Sequence, residues 1–181
     1  MSVTFMERMI EAFPDDDFTI GSNDEIPEGI TNREVISIIT EVGFPEHVVS
    51  LFFFEDLNEG LETMGAFRNS STLPEDLSEF YLIGVSDLHS TCLDGESGKC
   101  YFMPKGMEVS FLAASTLKDF LECMADLNEA ILDVHPDSSS ESLDRLENDL
   151  VSSMRERDPV SLGSSEEEWR KLIRRSFGFV M

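Results

Sequence analysis

The sequence predicts an α+β fold: an antiparallel sheet of about five or six strands with helices packed on one side, plus C-terminal helices. Three observations predict it. Helical periodicity comes first, in residues 3–13 and 31–42. Short runs of strand formers separated by turn residues follow, from Phe80 to Leu112. The period then turns helical again and stays so to the end of the chain. A parallel sheet would instead alternate strand and helix throughout.

Each element has a local reason. Met6, Met9, Ile10 and Phe13 recur at helical spacing, and Pro14-Asp15-Asp16-Asp17 breaks that helix. Phe18-Thr19-Ile20 reads as a short strand, and Asn23 to Gly29 as loop. Thr31-Asn32-Arg33-Glu34 reads as a capping box, with Val35, Ile38, Ile39 and Val42 as one apolar face and Gly43 as the stop. Val48 to Phe54 reads as one apolar strand, and Asn58 to Asn69 is weakly patterned. Phe80–Val85, Leu88–Leu93, Lys99–Met103 and Met107–Leu112 then suggest a meander with short turns.

Ser115-Thr116 caps the next helix, on which Leu117, Phe120, Leu121, Met124, Leu127 and Ile131 form a stripe. Lys118, Glu122, Asp126 and Glu129 lie opposite. After a break at His135-Pro136-Asp137, a second amphipathic helix carries Leu143, Leu146, Leu150 and Met154. Asp158 to Gly163 reads as a linker around Pro159. The last helix starts at a capping box, Ser164-Ser165-Glu166-Glu167, and buries Trp169, Leu172, Ile173 and Phe177. Residues 1–135 are expected to form the α+β domain, and 136–181 a helical extension packed on it.

One string suggests a nucleotide site. Gly95-Glu96-Ser97-Gly98-Lys99 resembles part of a phosphate-binding loop, which needs a glycine five residues before the glycine of its Gly-Lys pair, then a hydroxyl residue and a helix. Here the first glycine is replaced by Leu93 and the hydroxyl by Cys100, and an aromatic run ending at Pro104 stands in place of a helix. The stretch reads instead as a hairpin with a loop of about five residues, in which Leu93 faces Lys99 and Cys92 faces Cys100. That register puts the two cysteines on one sheet face.

The chain carries 37 acids and 13 bases, a net charge of −24. Residues 1–60 hold 14 of the acids and 2 of the bases, so the excess is steepest there. Such a field repels nucleic acid and anionic membrane; it suits plain solubility and a basic protein partner alike. Three cysteines give no disulfide framework, the N-terminus has no basic region before an apolar core, and no run approaches the ~18 apolar residues of a membrane helix. The expected location is the cytoplasm.

Enzyme motifs fail one by one. His47 follows Pro45 in an expected turn, His89 lies in a strand and His135 precedes Pro136; each reads as a surface or turn histidine, with no nucleophile motif beside Cys92, Cys100 or Cys123. His89, Cys92 and Cys100 match no zinc spacing, and neither Asp15-Asp16-Asp17 nor Asp94-Gly95-Glu96 matches a calcium loop. No cofactor or metal is therefore expected. Arg170, Lys171, Arg174 and Arg175 read as partners of Glu166, Glu167 and Glu168 rather than as a nucleic-acid patch. Paired carboxylates for hydrolysis stay open, because with 37 acids some pair is inevitable.

Gly43-Phe44-Pro45 after a helix, the Phe80-Tyr81-Leu82-Ile83-Gly84 strand, Leu93-Asp94…Gly98 at the turn and the Leu117…Phe120-Leu121 helix together resemble the SUKH superfamily (the SMI/KNR-like fold). Trp169 in a late helix after Asp158-Pro159 is similar to its fourth subfamily of immunity proteins, and the likeness covers about residues 30–175. Ala113-Ala114-Ser115-Thr116 departs from the Asn-Ser pattern more usual there. The resemblance implies a protein-binding scaffold without catalytic residues. It implies an immunity protein that neutralises a cognate bacterial toxin, often one acting on nucleic acid, or alternatively a regulatory adaptor that binds a cellular enzyme. For the first reading, Asp15, Asp16, Asp17, Asp24, Glu25 and Glu28 are the candidate residues to dock on a basic toxin groove. A solvated acidic loop is the plainer alternative.

Overall fold

The computed structural model describes residues 3–49, 51–67, 77–106, 109–135 and 137–180. In chain order these form α1 (Val3–Ala12), β1 (Phe18–Thr19), α2 (Arg33–Glu41), β2 (Phe44–Pro45), β3 (His47–Val48), β4 (Phe52–Phe54), a short 3₁₀ turn (Leu57–Glu59) and α3 (Met64–Phe67). There follow β5 (Tyr81–Ser86), β6 (His89–Leu93), β7 (Cys100–Pro104), β8 (Phe111–Ala114), α4 (Leu117–Leu132), α5 (Ser140–Arg157) and α6 (Pro159–Val180). Strands β3 to β8 form one antiparallel meander in chain order, and β1 pairs with β2 in a separate ribbon. The α+β class expected from sequence is the class observed.

One face of the meander carries the main core. Its aromatic centre is Trp169, with ring centroids 4.9 Å from Phe102 and 5.9 Å from Phe120. The indole Nε1–H donates to the Ala113 carbonyl of β8 at 3.1 Å, so the one polar atom of that side chain is satisfied. The same cluster runs from Phe5 on α1 to Phe177 on α6. The opposite face carries a small cluster of Met64, Leu77, Leu82, Cys92 and Met103.

Several local expectations are corrected. On α1 the buried positions are Phe5, Met9 and Ala12, while Met6 and Ile10 are exposed, so the face is rotated from the one the spacing suggested. The cap of α2 is Asn32, whose Oδ1 accepts from Glu34 and Val35, because Thr31 and Asn32 both donate their own N–H to Gly95. Val35, Ile38, Ile39 and Val42 do form the buried face, and Gly43 ends it at φ 79°, donating to Ile38. Val48 to Phe54 is a hairpin, not one strand: Val49 adopts φ 47° and His47 pairs with Phe53. Asp158 to Gly163 is not a linker either. Asp158 accepts from Ser161 and caps α6, with Pro159 at the first helical position, where its missing N–H costs nothing. Met107 and Glu108 of the expected last strand lie outside the described residues; β8 itself is Phe111–Ala114.

The hairpin at Asp94 differs by one residue from the expected register. Leu93 pairs with Cys100 and Cys92 with Tyr101. Asp94 is itself part of the ladder, donating to Lys99, and its carboxylate accepts from Glu96, Ser97 and the Ser97 hydroxyl. The loop is thereby shortened to four residues, closed by Gly98 at φ 79°. Cys92 faces the small cluster and Cys100 the main core, so the cysteines lie on opposite faces.

Candidate functional site

The loop with the Gly-Lys pair serves the fold. It is reversed between β6 and β7, and its Gly95 carbonyl accepts the N–H groups of Thr31 and Asn32 ahead of α2. A phosphate loop would turn N–H donors toward its ligand; this one presents a carbonyl oxygen to a helix start.

Concavity and charge coincide elsewhere, where the β1–β2 ribbon meets β3 and β4. Two hollows there share His47 as a wall. The first, about 370 Å³, is lined by Thr19, Pro45, Glu46, His47, Phe53, Phe54, Glu55 and Asp56. The second, about 210 Å³, is lined by Phe13, Pro14, Asp15, Asp16, His47, Val49, Asn128 and Leu132. Strand alternation explains the aromatic wall: Phe52 and Phe54 point into the core and Phe53 stands outward, 51% exposed. Its ring lies 6.3 Å from the His47 ring at 26°, as their cross-strand pairing requires. The Val49 turn makes this pairing possible, at the cost of a β-branched residue in the left-handed region.

The acids here are poorly compensated. Burial raises the pKa of Asp16 above the carboxylate norm, and Glu46 and Asp15 push the same way, while His47, 3.4 Å away, offsets part. Glu55 is also raised, by burial and then by Glu62 and Glu59. Among the described residues, His47–Asp16 is the one ion pair made by an acid of residues 9–67.

Of the six residues expected at a docking face, Asp15 and Asp16 line the second hollow, and Asp17 is exposed beside them in the chain. Asp24, Glu25 and Glu28 are exposed but line neither hollow. Glu25 is occupied locally: its carboxylate accepts from the Ser22 hydroxyl and N–H, which lowers its pKa. Sequence reasoning missed Glu46, His47, Phe53, Glu55 and Asp56. A signal existed, since residues 34–67 contain seven acids and no Lys or Arg.

The remaining reactive groups are structural. His89, expected near the surface, is buried against Phe102 at 4.9 Å, and its Nε2–H donates to Glu168 at 2.7 Å. Its Nδ1 has no hydrogen-bond partner among the described residues, which suits a neutral ring, since a protonated Nδ1 would be an unsatisfied buried donor. Burial accordingly lowers the His89 pKa, against the pull of Glu168. The three thiols are buried; burial lifts Cys100 well above the ordinary value and Cys123 to about 12, so neither is a thiolate near neutrality. Among the described residues no group of three His, Cys, Asp or Glu is placed to hold a metal ion, and no helix is long and apolar enough to cross a membrane.

Comparison with known proteins decides the family. The SUKH-4 immunity protein family matches residues 9–175. The chain belongs to this family. No curated protein and no solved structure matches the chain. The SUKH-4 match spans both hollows and most of α6, and it agrees with the likeness expected from the turn glycines and Trp169. Membership implies immunity against a toxin, and hence a toxin protein as partner. Such families are generally non-enzymatic.

Proposed function

We propose that this SUKH-4 protein neutralises a basic, nucleic-acid-targeting toxin in the cytoplasm by direct contact, using the two hollows and the carboxylates around them. The observation that supports this reading is the distribution of charge. Residues 9–67 hold 14 acids against the single base Arg33, and the concave part of that surface is walled by Asp15, Asp16, Glu46, Glu55 and Asp56. An anionic concavity complements a phosphate-binding groove; it speeds encounter and excludes nucleic acid from the same groove. Asp17 extends the face, and Asp24, Glu25 and Glu28 add to its long-range field rather than to the contact.

Co-expression with its cognate toxin restores growth, and the two proteins co-purify with an affinity that falls steeply as salt rises. Failure of rescue together with failure of co-purification would refute the proposal; capture of a cellular enzyme instead would favour an adaptor. A second reading has one observation behind it: Glu46, Glu55 and Asp56 share a hollow, as a paired-carboxylate hydrolase would need. Against it, Asp56 Oδ1 is committed to the N–H and side-chain amide of Asn58, and the family is generally without catalysis.

A further inference from the structure

The first hollow has chemistry that net charge alone does not explain. Phe53 is half-exposed in the middle of β4, between two buried phenylalanines, and among the described residues its ring contacts one other ring, that of His47. Glu55 lines the same hollow, half-buried. Its charged neighbours are Glu59 and Glu62, and among the described residues no Lys or Arg pairs with it. Asp56 spends Oδ1 on Asn58, which leaves Oδ2 for another donor.

These features select a type of cation. A half-buried carboxylate among other acids is stabilised by any incoming positive charge. An exposed aromatic face beside it is stabilised best by a planar, weakly hydrated cation that stacks on the ring while donating at its edge. Arginine meets both conditions. Lysine, a compact and strongly hydrated ammonium, meets the first. The hollow, at about 370 Å³, is roomy enough for one such side chain.

We propose that this hollow is an arginine socket. An arginine of the toxin lays its guanidinium on Phe53 and donates to Glu55 and to Asp56 Oδ2, with Glu46 and His47 at the rim. This deepens the docking reading and rests on it for the owner of the arginine; the socket itself is open to test without the toxin.

The full chain is titrated with two blocked tripeptides, Gly-Arg-Gly and Gly-Lys-Gly, and followed by two-dimensional NMR. The arginine peptide gives saturable shifts at Phe53, Glu55 and the His47 ring, and the lysine peptide binds about 3–10-fold more weakly. Phe53→Leu keeps apolar bulk but removes the ring, and Glu55→Gln removes the charge; each weakens the arginine peptide by a similar factor. Both positions are solvent-accessible, and an unchanged amide spectrum elsewhere verifies folding. Absence of a saturable shift, equal response to both peptides, or binding that survives both substitutions overturns the socket. Co-expression separates this from the parent reading. If wild type rescues growth and both variants rescue equally well, the socket is wrong and immunity stands. If wild type itself fails to rescue, the docking reading falls whatever the peptides do.

Discussion

The N-terminal and C-terminal parts of this protein use the same acidic residues in opposite ways. Along α4, α5 and α6 seven of the twelve carboxylates are ion-paired: Glu122, Asp126, Glu129, Glu141, Glu147, Glu166 and Glu168. Arg157 bridges Glu122 and Asp126 at 3.0 and 2.9 Å, Arg8 reaches Asp126 and Glu129, and buried Glu147 accepts from both Arg170 and Arg174. Around the hollows there is one histidine for five acids. The pKa directions follow. Despite burial, hydrogen bonds to arginines, serines, lysine and histidine lower Glu147, Asp158 and Glu168, whereas burial and like charges raise Asp16 and Glu55. In one region carboxylates fasten helices to each other and to the sheet. In the other, burial and like charges hold them at some cost to the fold.

The largest effect belongs to the fastened region. Trp169→Ala removes a side chain only 1% exposed, with its contacts to Phe102 and Phe120. A loss of about 3–5 kcal/mol is expected in urea or thermal unfolding. Next, Glu147→Gln leaves Arg170 and Arg174 without a carboxylate between α5 and α6. It should cost about 1–3 kcal/mol, whereas Glu46→Gln at the hollow should stay within about 0.5 kcal/mol of wild type. Equal losses at the two positions would break the contrast.

Acid titration sharpens it further. His89 and Glu168 both have folded pKa values below their unfolded ones. Their contribution is present above the unfolded values, about 6.5 and 4.5, and is lost as pH falls through the folded ones. Asp16 and Glu55 have the reverse sign: protonation through their raised values stabilises the fold. Net stability should therefore fall as pH drops from about 7 to 4; Glu147→Gln, which removes a carboxylate held low by Arg170 and Arg174, should flatten that slope, while Glu55→Gln, which removes a raised one, steepens it. Unfolding free energies across that range check both signs. The smallest effect is on stability at the proposed docking face: Asp15→Asn with Asp16→Asn should leave the melting temperature unchanged or slightly higher, because self-repulsion is relieved.

The two regions were also unequally legible in the sequence. The α4 stripe and the buried face of α6 were readable because Leu117 through Ile131 and Trp169 through Phe177 repeat at helical spacing. The hollows were not, because they depend on a turn at Val49, where neither glycine nor asparagine announces a reversal. Without that turn His47 and Phe53 have no reason to meet. Asp158-Pro159 looks like a linker in sequence because an N-cap followed by proline has the same composition, and the Ser161 N–H donating back to Asp158 is what distinguishes it. The Asp94 loop is one residue shorter than its turn residues suggest because the aspartate both turns the chain and pairs across it. Asp24, Glu25 and Glu28 were grouped with Asp15 and Asp16 by charge alone, and charge does not report concavity.

On the proposed function, the acids of the hollows are binding charge and the ion-paired acids of the helices are structural charge. These roles separate in the association rate with the cognate toxin, measured against ionic strength for wild type, for a variant with Asp15, Asp16, Glu46 and Glu55 neutralised as amides, and for Glu147→Gln. The four-site variant should be folded, associate more slowly and show a shallower salt dependence, and Glu147→Gln should associate like wild type despite its lower stability. A four-site variant that binds with unchanged rate and salt dependence would contradict this division of roles.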